Sequence, residues 1–141
     1  MKILITGVAG LLGSRLADWI VENTEHEVIG IDDLSGGYIQ NVSFDVKFYQ
    51  FNLLDLRKLD QVFREERPDI VYHFAAYAAE GLSPFIRKYN YENNLICSAN
   101  LITKSINYAV KRFVFASSMS VYGNKYEPPF HEEIPYPILA V

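Results

Sequence analysis

Three glycines that follow a short apolar segment constrain this chain more than any other feature. Gly7, Gly10 and Gly13 are spaced three residues apart, after the apolar run Ile3–Ile5 and before a segment of helical periodicity. This spacing is typical of a turn from a strand into a helix. Gly7 allows a sharp turn, Gly10 leaves room for a pyrophosphate to approach the backbone, and Gly13 lets the helix pack closely on the strand.

Short apolar runs alternate with segments of helical period along the rest of the chain. The pattern predicts strands at 2–6, 27–32, 46–51, 69–75 and 112–117, and helices at 11–23, 56–66 and 84–109. The apolar runs are continuous, as expected for strands that helices cover on both faces. The sequence therefore predicts an α/β fold with a Rossmann-type, doubly wound parallel sheet.

Capping signals support the helix positions. Asp55 is placed to cap the helix at 56–66, with Pro68 just beyond its end, and Ser83-Pro84 is expected to supply the N-cap and first residue of the helix at 84–109. From Tyr122 onward prolines are frequent and neither period is present, which predicts a loop.

Length and charge narrow the function further. A chain of 141 residues with 50% hydrophobic residues predicts one domain, residues 1–141. The net charge of -4 disfavours binding to nucleic acid or to an anionic membrane surface. Cys97 is the single cysteine, so no internal disulfide is possible, and there is no apolar run long enough for a membrane span. We expect a cytoplasmic protein that acts on small molecules.

A carboxylate at the end of the second strand completes the pattern of a dinucleotide site. Asp32 follows Gly13 by 19 residues, where it would accept hydrogen bonds from the adenosine ribose. The pyrophosphate would face the first helical N–H groups, at Leu11 and Leu12. Asp32 would also repel the 2′-phosphate of NADP, so NAD is the predicted cofactor. No Arg or Lys occurs among the next residues, Asp33, Leu34, Ser35, Gly36 and Gly37, and Ser35 to Gly37 are expected to form a flexible turn around the adenosine.

Two further motifs suggest a family. They are His73-Phe74-Ala75-Ala76 after the fourth strand and Ser117-Ser118-Met119-Ser120-Val121-Tyr122-Gly123 after the fifth strand. Together with the glycines and Asp32, they make the chain resemble the extended short-chain dehydrogenases. More narrowly, it resembles the NAD-dependent nucleotide-sugar epimerases and dehydratases of the UDP-glucose 4-epimerase type, from Lys2 to about Pro135.

The resemblance implies roles for individual positions. Phe74, Ala75 and Ala76 would lie under the adenine ribose and nicotinamide side of NAD, and Asn94 would support the active site. Asn52, with Leu53 beside it, stands where the family usually has an Asp next to the adenine amino group, and an Asn oxygen can still accept that bond.

Ser118 matches the hydroxyl that in the family hydrogen-bonds the sugar hydroxyl being oxidised. In the family a tyrosine then removes the proton, and a lysine four residues later lowers the pKa of that tyrosine. No tyrosine of this chain has lysine at that spacing, and we expect the pair just past Val141. The substrate-binding region would then be absent from this chain, and the chain alone would be inactive. The 4-epimerases also tend to have Lys where Ala78 stands, so the resemblance to that subgroup is incomplete.

Several functions remain open at this point. Epimerisation of a UDP-linked sugar by the full-length protein is favoured over dehydration, because Met119 and Ser120 cannot supply the acid and base that elimination needs. An NAD-linked reductase or decarboxylase, or an NAD-binding domain without turnover, is also compatible. The three histidines lack metal-ligand spacing and no metal is predicted, with His73 expected to be a buried structural residue. The family pairs through the helix of Asn94, so we expect a homodimer of the full-length protein.

Overall fold

Five parallel strands form the sheet of this structure, a computed structural model that describes residues 1–123 and 126–134. In chain order the strands are β1 (Lys2–Thr6), β2 (Glu27–Asp32), β3 (Lys47–Gln50), β4 (Ile70–His73) and β5 (Arg112–Phe115). They lie side by side in the order β3-β2-β1-β4-β5, and every neighbouring pair is parallel. This order confirms the predicted Rossmann-type topology, in which a crevice opens between the carboxyl ends of β1 and β4.

Helices connect the strands across both faces of the sheet. Helix α1 (Leu11–Asn23) follows β1, and α2 (Leu56–Glu66) joins β3 to β4. The segment between β4 and β5 is helical in three consecutive parts, which are α3 (Arg87–Asn90), a π-helical segment (Tyr91–Ile96) and α4 (Cys97–Asn107). The predicted cap of α2 is confirmed, since the Asp55 carboxylate accepts hydrogen bonds from Arg57 N and Lys58 N.

The apolar core has two layers because alternate residues of β1 point to opposite faces of the sheet. Leu4 belongs to the layer that packs against α2 and α4, where Phe63 and Leu101 are fully buried. Ile3 and Ile5 belong to the other layer, which packs against α1. Burial on both faces explains why the strands are continuous apolar runs and do not alternate.

The prediction of one helix over 84–109 was wrong at both ends and in the middle. Ser83 and Pro84 do not start the helix, because they lie in turns. In these turns Phe85 N and Ile86 N both donate to Leu82 O. The helix begins only at Arg87, with Ile86 as its N-cap. It ends at Asn107, since Ala109 has a φ of +55° that an α-helix does not accommodate. The π-helical segment was not predicted.

Three strands are shorter than predicted. The expected ranges 46–51, 69–75 and 112–117 become Lys47–Gln50, Ile70–His73 and Arg112–Phe115. β4 stops at His73 because both of its neighbours stop there, with Thr6 and Phe115 as the paired residues. The backbone that continues past His73 is therefore released from the sheet and can line the crevice.

Beyond Tyr122 the described residues, Gly123 and 126–134, contain neither helix nor strand, in agreement with the predicted loop. The remainder of that predicted loop lies outside the described residues. No helix in the described part of the chain combines the length and the apolar character that crossing a membrane requires.

Candidate functional site

The glycine turn fits between the ends of three strands. Gly7 has a φ of +73°, and its N–H donates to Ile31 O at the end of β2, 2.9 Å away. A Cβ on Gly7 would lie 2.7 Å from Ala75 N, beyond the end of β4. A Cβ on Gly13 would collide with the backbone of Gly7, so α1 approaches the turn as closely as backbone atoms allow. Only glycine is accommodated at these two positions.

The amino end of α1 meets the crevice at Gly10. Gly10 is the N-cap residue, and no side chain caps the helix there. The side chains of Leu11 and Leu12 are 73% and 65% exposed, although both are large and apolar. An uncapped helix start with its positive dipole end at a crevice is suited to an anion such as a pyrophosphate.

Asp32 closes β2 and holds the glycine turn in place. One carboxylate oxygen accepts from Ala9 N at 3.0 Å, and the other accepts from Leu34 N at 2.8 Å. A carboxylate has about four acceptor positions, so it retains capacity for the hydroxyl groups of a ligand. Leu34 adopts a φ of +63° and does not line the crevice, whereas Ser35, Gly36 and Gly37 do.

A second group of polar side chains forms the wall beyond β3. Asn52 Nδ2 donates to Asp33 Oδ2 at 2.6 Å and to Asn93 Oδ1 at 3.4 Å. Asn52 Oδ1 accepts from Leu54 N at 2.9 Å, and Cys97 Sγ lies 3.7 Å from the same oxygen. Burial, followed by the charges of Asp33 and Glu92, raises the pKa of the Cys97 thiol to about 11, so the group is a neutral S–H donor at physiological pH.

A buried histidine joins the two strands that flank the crevice. His73 is 2% exposed, with Nδ1 2.6 Å from Thr6 Oγ1 and Nε2 2.8 Å from Ser98 Oγ. Ser98 donates its own proton to Asn94 O, so it must accept from His73 Nε2–H. Burial lowers the pKa of His73 to about 4, so the ring is neutral and its Nδ1 accepts from the Thr6 hydroxyl. The burial and the two hydrogen bonds agree with the predicted structural role.

Asn94 holds the backbone that leaves β4. Its side-chain oxygen accepts from Tyr77 N at 2.7 Å, and its Nδ2 donates to Tyr77 O at 2.9 Å. This pair of bonds fixes the chain just after Phe74, Ala75 and Ala76, all three of which line the crevice. Asn94 therefore shapes the crevice from behind without lining it.

Ser118 lies three residues beyond β5 and is exposed. It is the N-cap of a short 3₁₀ turn (Met119–Tyr122), where its Oγ accepts from Ser120 N at 3.2 Å. The carboxyl end of β5 is paired with that of β4, since Phe115 lies opposite His73. The hydroxyl is thus at the same edge of the sheet as the crevice, on the β5 side, but it does not line the crevice.

The crevice gathers most of the residues singled out from sequence and adds others. Of the predicted cofactor-binding residues, it is lined by Gly7, Gly10, Asp32, Asp33, Ser35, Gly36, Gly37, Asn52, Leu53, Phe74, Ala75 and Ala76. It is not lined by Leu11, Leu12, Gly13, Leu34 or Asn94. The lining residues that sequence reasoning missed are Ile31, Phe51, Tyr77, Tyr89, Asn93 and Cys97.

Asn93 is the missed residue for which the sequence carried a signal. It is adjacent to Asn94, and successive residues of a helix point in different directions, so one member of the pair had to face elsewhere.

Among the residues that the structure describes, no three His, Cys, Asp or Glu side chains are grouped so as to hold a metal ion. The lining as a whole suits a neutral or hydroxyl-bearing organic ligand with one anionic segment at α1.

Comparisons of the sequence and of the structure with known proteins identify the same family. The sequence profile of the NAD dependent epimerase/dehydratase family matches residues 3–140. UDP-glucose 4-epimerase of Halalkalibacterium halodurans is 37% identical over 96% of this chain, which covers 40% of that protein. The dTDP-D-glucose 4,6-dehydratase of Dictyostelium discoideum is 35% identical over 87% of this chain, which covers 30% of that protein.

A solved structure shares the fold closely. UDP-glucose 4-epimerase from Bifidobacterium longum, in complex with NAD⁺ and UDP, superposes with a TM-score of 0.89 at 30% identity, covering 97% of this chain and 43% of that one. The chain thus spans less than half the length of each of these three relatives.

The close fit of the glycine turn predicts a sharp difference between two glycine positions. Gly7→Ala should lower the free energy of unfolding by about 2–4 kcal/mol, because the new Cβ meets the Ala75 backbone and φ is positive. Gly36→Ala should change it by less than about 0.5 kcal/mol, since a Cβ there meets nothing within 4 Å. Urea unfolding followed by circular dichroism measures both, and equal effects would contradict the packing described.

Proposed function

This chain belongs to the NAD dependent epimerase/dehydratase family, and we propose that residues 1–141 form the NAD-binding domain of an enzyme that epimerises a UDP-linked sugar through a transient keto-sugar. The observation that carries the proposal is the crevice itself. It combines a glycine turn with no room for a side chain, an uncapped helix start and the Asp32 carboxylate, all at the reversal point of the strand order.

NAD fits these residues in one orientation. The amides that follow Gly10 would hold the pyrophosphate, and Asp32 would hold the hydroxyl groups of the adenosine ribose. The adenine would then extend toward the wall beyond β3, and the nicotinamide toward Phe74–Ala76 and the β5 side. When bound, NAD would take up a hydride from the sugar carbon and return it to the other face.

Ser118 is the residue of this chain that we place at the sugar. Its exposed hydroxyl stands on the β5 side of the crevice, where it would hydrogen-bond the hydroxyl being oxidised. A serine cannot act as the base, so the chain also requires the tyrosine and lysine of the family pattern. Dehydration would need an acid and a base beside Ser118. Met119 and Ser120 provide neither, which favours epimerisation.

The Asp32 carboxylate should set the preference for NAD over NADP. We expect the chain to bind NAD at least about 10-fold more tightly than NADP by calorimetry, because a 2′-phosphate would face this carboxylate. Asp32→Ala should reduce the ratio of the two dissociation constants to below about 3, whereas Asp45→Ala, which removes an exposed carboxylate elsewhere, should leave it unchanged. The ratio is informative because general loosening of the glycine turn would weaken both cofactors equally. An unaltered ratio in Asp32→Ala would refute the assignment.

The reaction is tested with the chain extended through the next Tyr-x-x-x-Lys segment and the region that follows it. We expect interconversion of UDP-glucose and UDP-galactose by the extended protein and none by residues 1–141 alone, since a positioned base contributes about 10²–10⁴ in rate. Ser118→Ala should lower kcat by about 10- to 100-fold, the value of one hydrogen bond to the reacting hydroxyl. Ser43→Ala, in an exposed turn, is the control. Equal turnover with and without the extension would refute the proposed catalytic set.

An apolar stripe supports the proposal that the extended protein is a homodimer. Tyr91, Leu95, Ala99, Ile102 and Ile106 are exposed along one side of the π-helical segment and α4, while Cys97, Leu101 and Ser105 on the other side are buried. Ile106 is 73% exposed, and a continuous apolar surface of this kind is usually covered by a partner protein.

Replacing one residue of the stripe should separate the subunits. Ile102→Glu should convert a dimer of the extended protein to monomers in sedimentation velocity, because it places a charge in an apolar interface. Leu56→Glu, which places the same charge at an exposed apolar position at the start of α2, should leave the dimer intact. Residues 1–141 alone should associate only weakly, and a dimer that survives Ile102→Glu would argue against this face.

A further inference from the structure

The wall beyond β3 contains an amide and a carboxylate whose roles can be separated by counting hydrogen bonds. Asn52 follows β3, and Asp33 follows Asp32 at the end of β2. Both side chains are half-buried and both line the crevice. A nucleotide whose ribose reaches Asp32 has its base over this wall, because β3 is the next strand outward in the sheet.

The side chain of Asn52 has no acceptor position left for a ligand. Its oxygen has two lone pairs, which face Leu54 N and the Cys97 thiol. Its two N–H bonds face Asp33 and Asn93. The opposite amide orientation would set an oxygen against the Asp33 carboxylate and an NH₂ against Leu54 N–H, so these neighbours determine the orientation observed.

Asp33 retains the acceptor capacity that Asn52 lacks. Its Oδ1 accepts from Ser35 N at 2.9 Å, its Oδ2 accepts from Asn52 Nδ2 at 2.6 Å, and the Ser35 side chain also hydrogen-bonds to it, which leaves at least one of about four positions. Burial would raise the pKa of Asp33, but hydrogen bonds from Ser35 and Asn52 outweigh it and hold the pKa below its usual range. The group is therefore a carboxylate at neutral pH, and a charged acceptor is stronger than the amide oxygen of Asn93.

We propose that the Asp33 carboxylate accepts the 6-amino group of the adenine of NAD, and that Asn52 is a positioning residue that holds this carboxylate toward the base. The inference rests on the proposed NAD site and goes beyond it, since the sequence pattern gave the adenine contact to Asn52. The family usually has a carboxylate at the position of Asn52. In this proposal Asp33, at the end of the neighbouring strand β2, provides the carboxylate, and the Asn52 amide donates a hydrogen bond to it.

The experiment compares NAD with its hypoxanthine analogue, in which a 6-oxo group replaces the 6-amino group. Titration calorimetry gives both dissociation constants for residues 1–141, with circular dichroism to show that each variant is folded. The wild-type chain should bind NAD about 10- to 100-fold more tightly than the analogue, because a carboxylate would face an acceptor in place of a donor. Asp33→Ala should reduce this ratio to below about 3.

Two variants of Asn52 separate acceptor from positioning residue. Asn52→Ala should weaken NAD binding but retain at least half of the ratio, since the carboxylate remains. The exchange variant Asp33→Asn with Asn52→Asp rebuilds the pair in reverse and should recover a ratio within about threefold of the wild type. Asp45→Ala is the control for loss of a carboxylate elsewhere.

Each of the other possible outcomes would refute a specific part of the proposal. If Asn52→Ala abolished the preference for NAD over the analogue and Asp33→Ala kept it, Asn52 and not Asp33 would be the residue that contacts the adenine. If both variants lost the preference equally, the proposed division of roles would also be refuted. A folded exchange variant without recovery would refute the positioning role of Asn52. A wild-type chain that binds NAD and the analogue equally would refute the inference and leave the NAD site standing. Binding of neither would refute the proposed site and the inference with it.

Discussion

The neutral ring of His73 is the interaction on which the shape of the crevice depends. It receives a hydrogen bond from Thr6 on β1 and gives one to Ser98 on α4, and Ser98 continues the chain to the carbonyl of Asn94. The Asn94 side chain then fixes Tyr77. One line of hydrogen bonds therefore joins both strands at the crevice, the helix behind them and the backbone that lines the opening. A protonated ring would lose its acceptor toward Thr6, and burial opposes protonation by lowering the pKa to about 4.

The π-helical segment allows one continuous helical region to contact both the crevice and the apolar core. A π-helical hydrogen bond closes one residue later than an α-helical one, so the segment shifts the helix register between the residues before and after it. Within it, Asn93 contacts Asn52 at the wall and Asn94 contacts Tyr77. After the segment, α4 buries Cys97 and Leu101 against the sheet. A regular α-helix from Arg87 onward would follow one register throughout. The wider turns allow the amino-terminal part to serve the crevice and the carboxyl-terminal part to serve the core.

Sequence reasoning succeeded where a local pattern has one physical solution. The glycine spacing, the apolar strands and Asp32 are of this kind, and they predicted the sheet topology and the location of the crevice. It failed where the outcome depends on contacts between distant segments. Ser83-Pro84 has the composition of a helix start, but the turns that donate to Leu82 O displace the helix to Arg87. The π-helical segment leaves no periodic signal of its own, and the lining residues Tyr89 and Cys97 on either side of it were missed.

The two functions that we propose for this chain depend on different parts of the fold. Every residue that lines the crevice falls between Gly7 and Cys97, and the hydrogen bonds that hold their backbone come from nearly the same range, from Thr6 to Ser98. Ser118 stands outside that network and is held by its own turn with Ser120. Cofactor binding is thus built into the tightly packed part of the sheet, where a displaced backbone atom is costly. Ser118, which we propose to act at the sugar, lies on a separate loop, where neighbouring residues can change without disturbing the crevice.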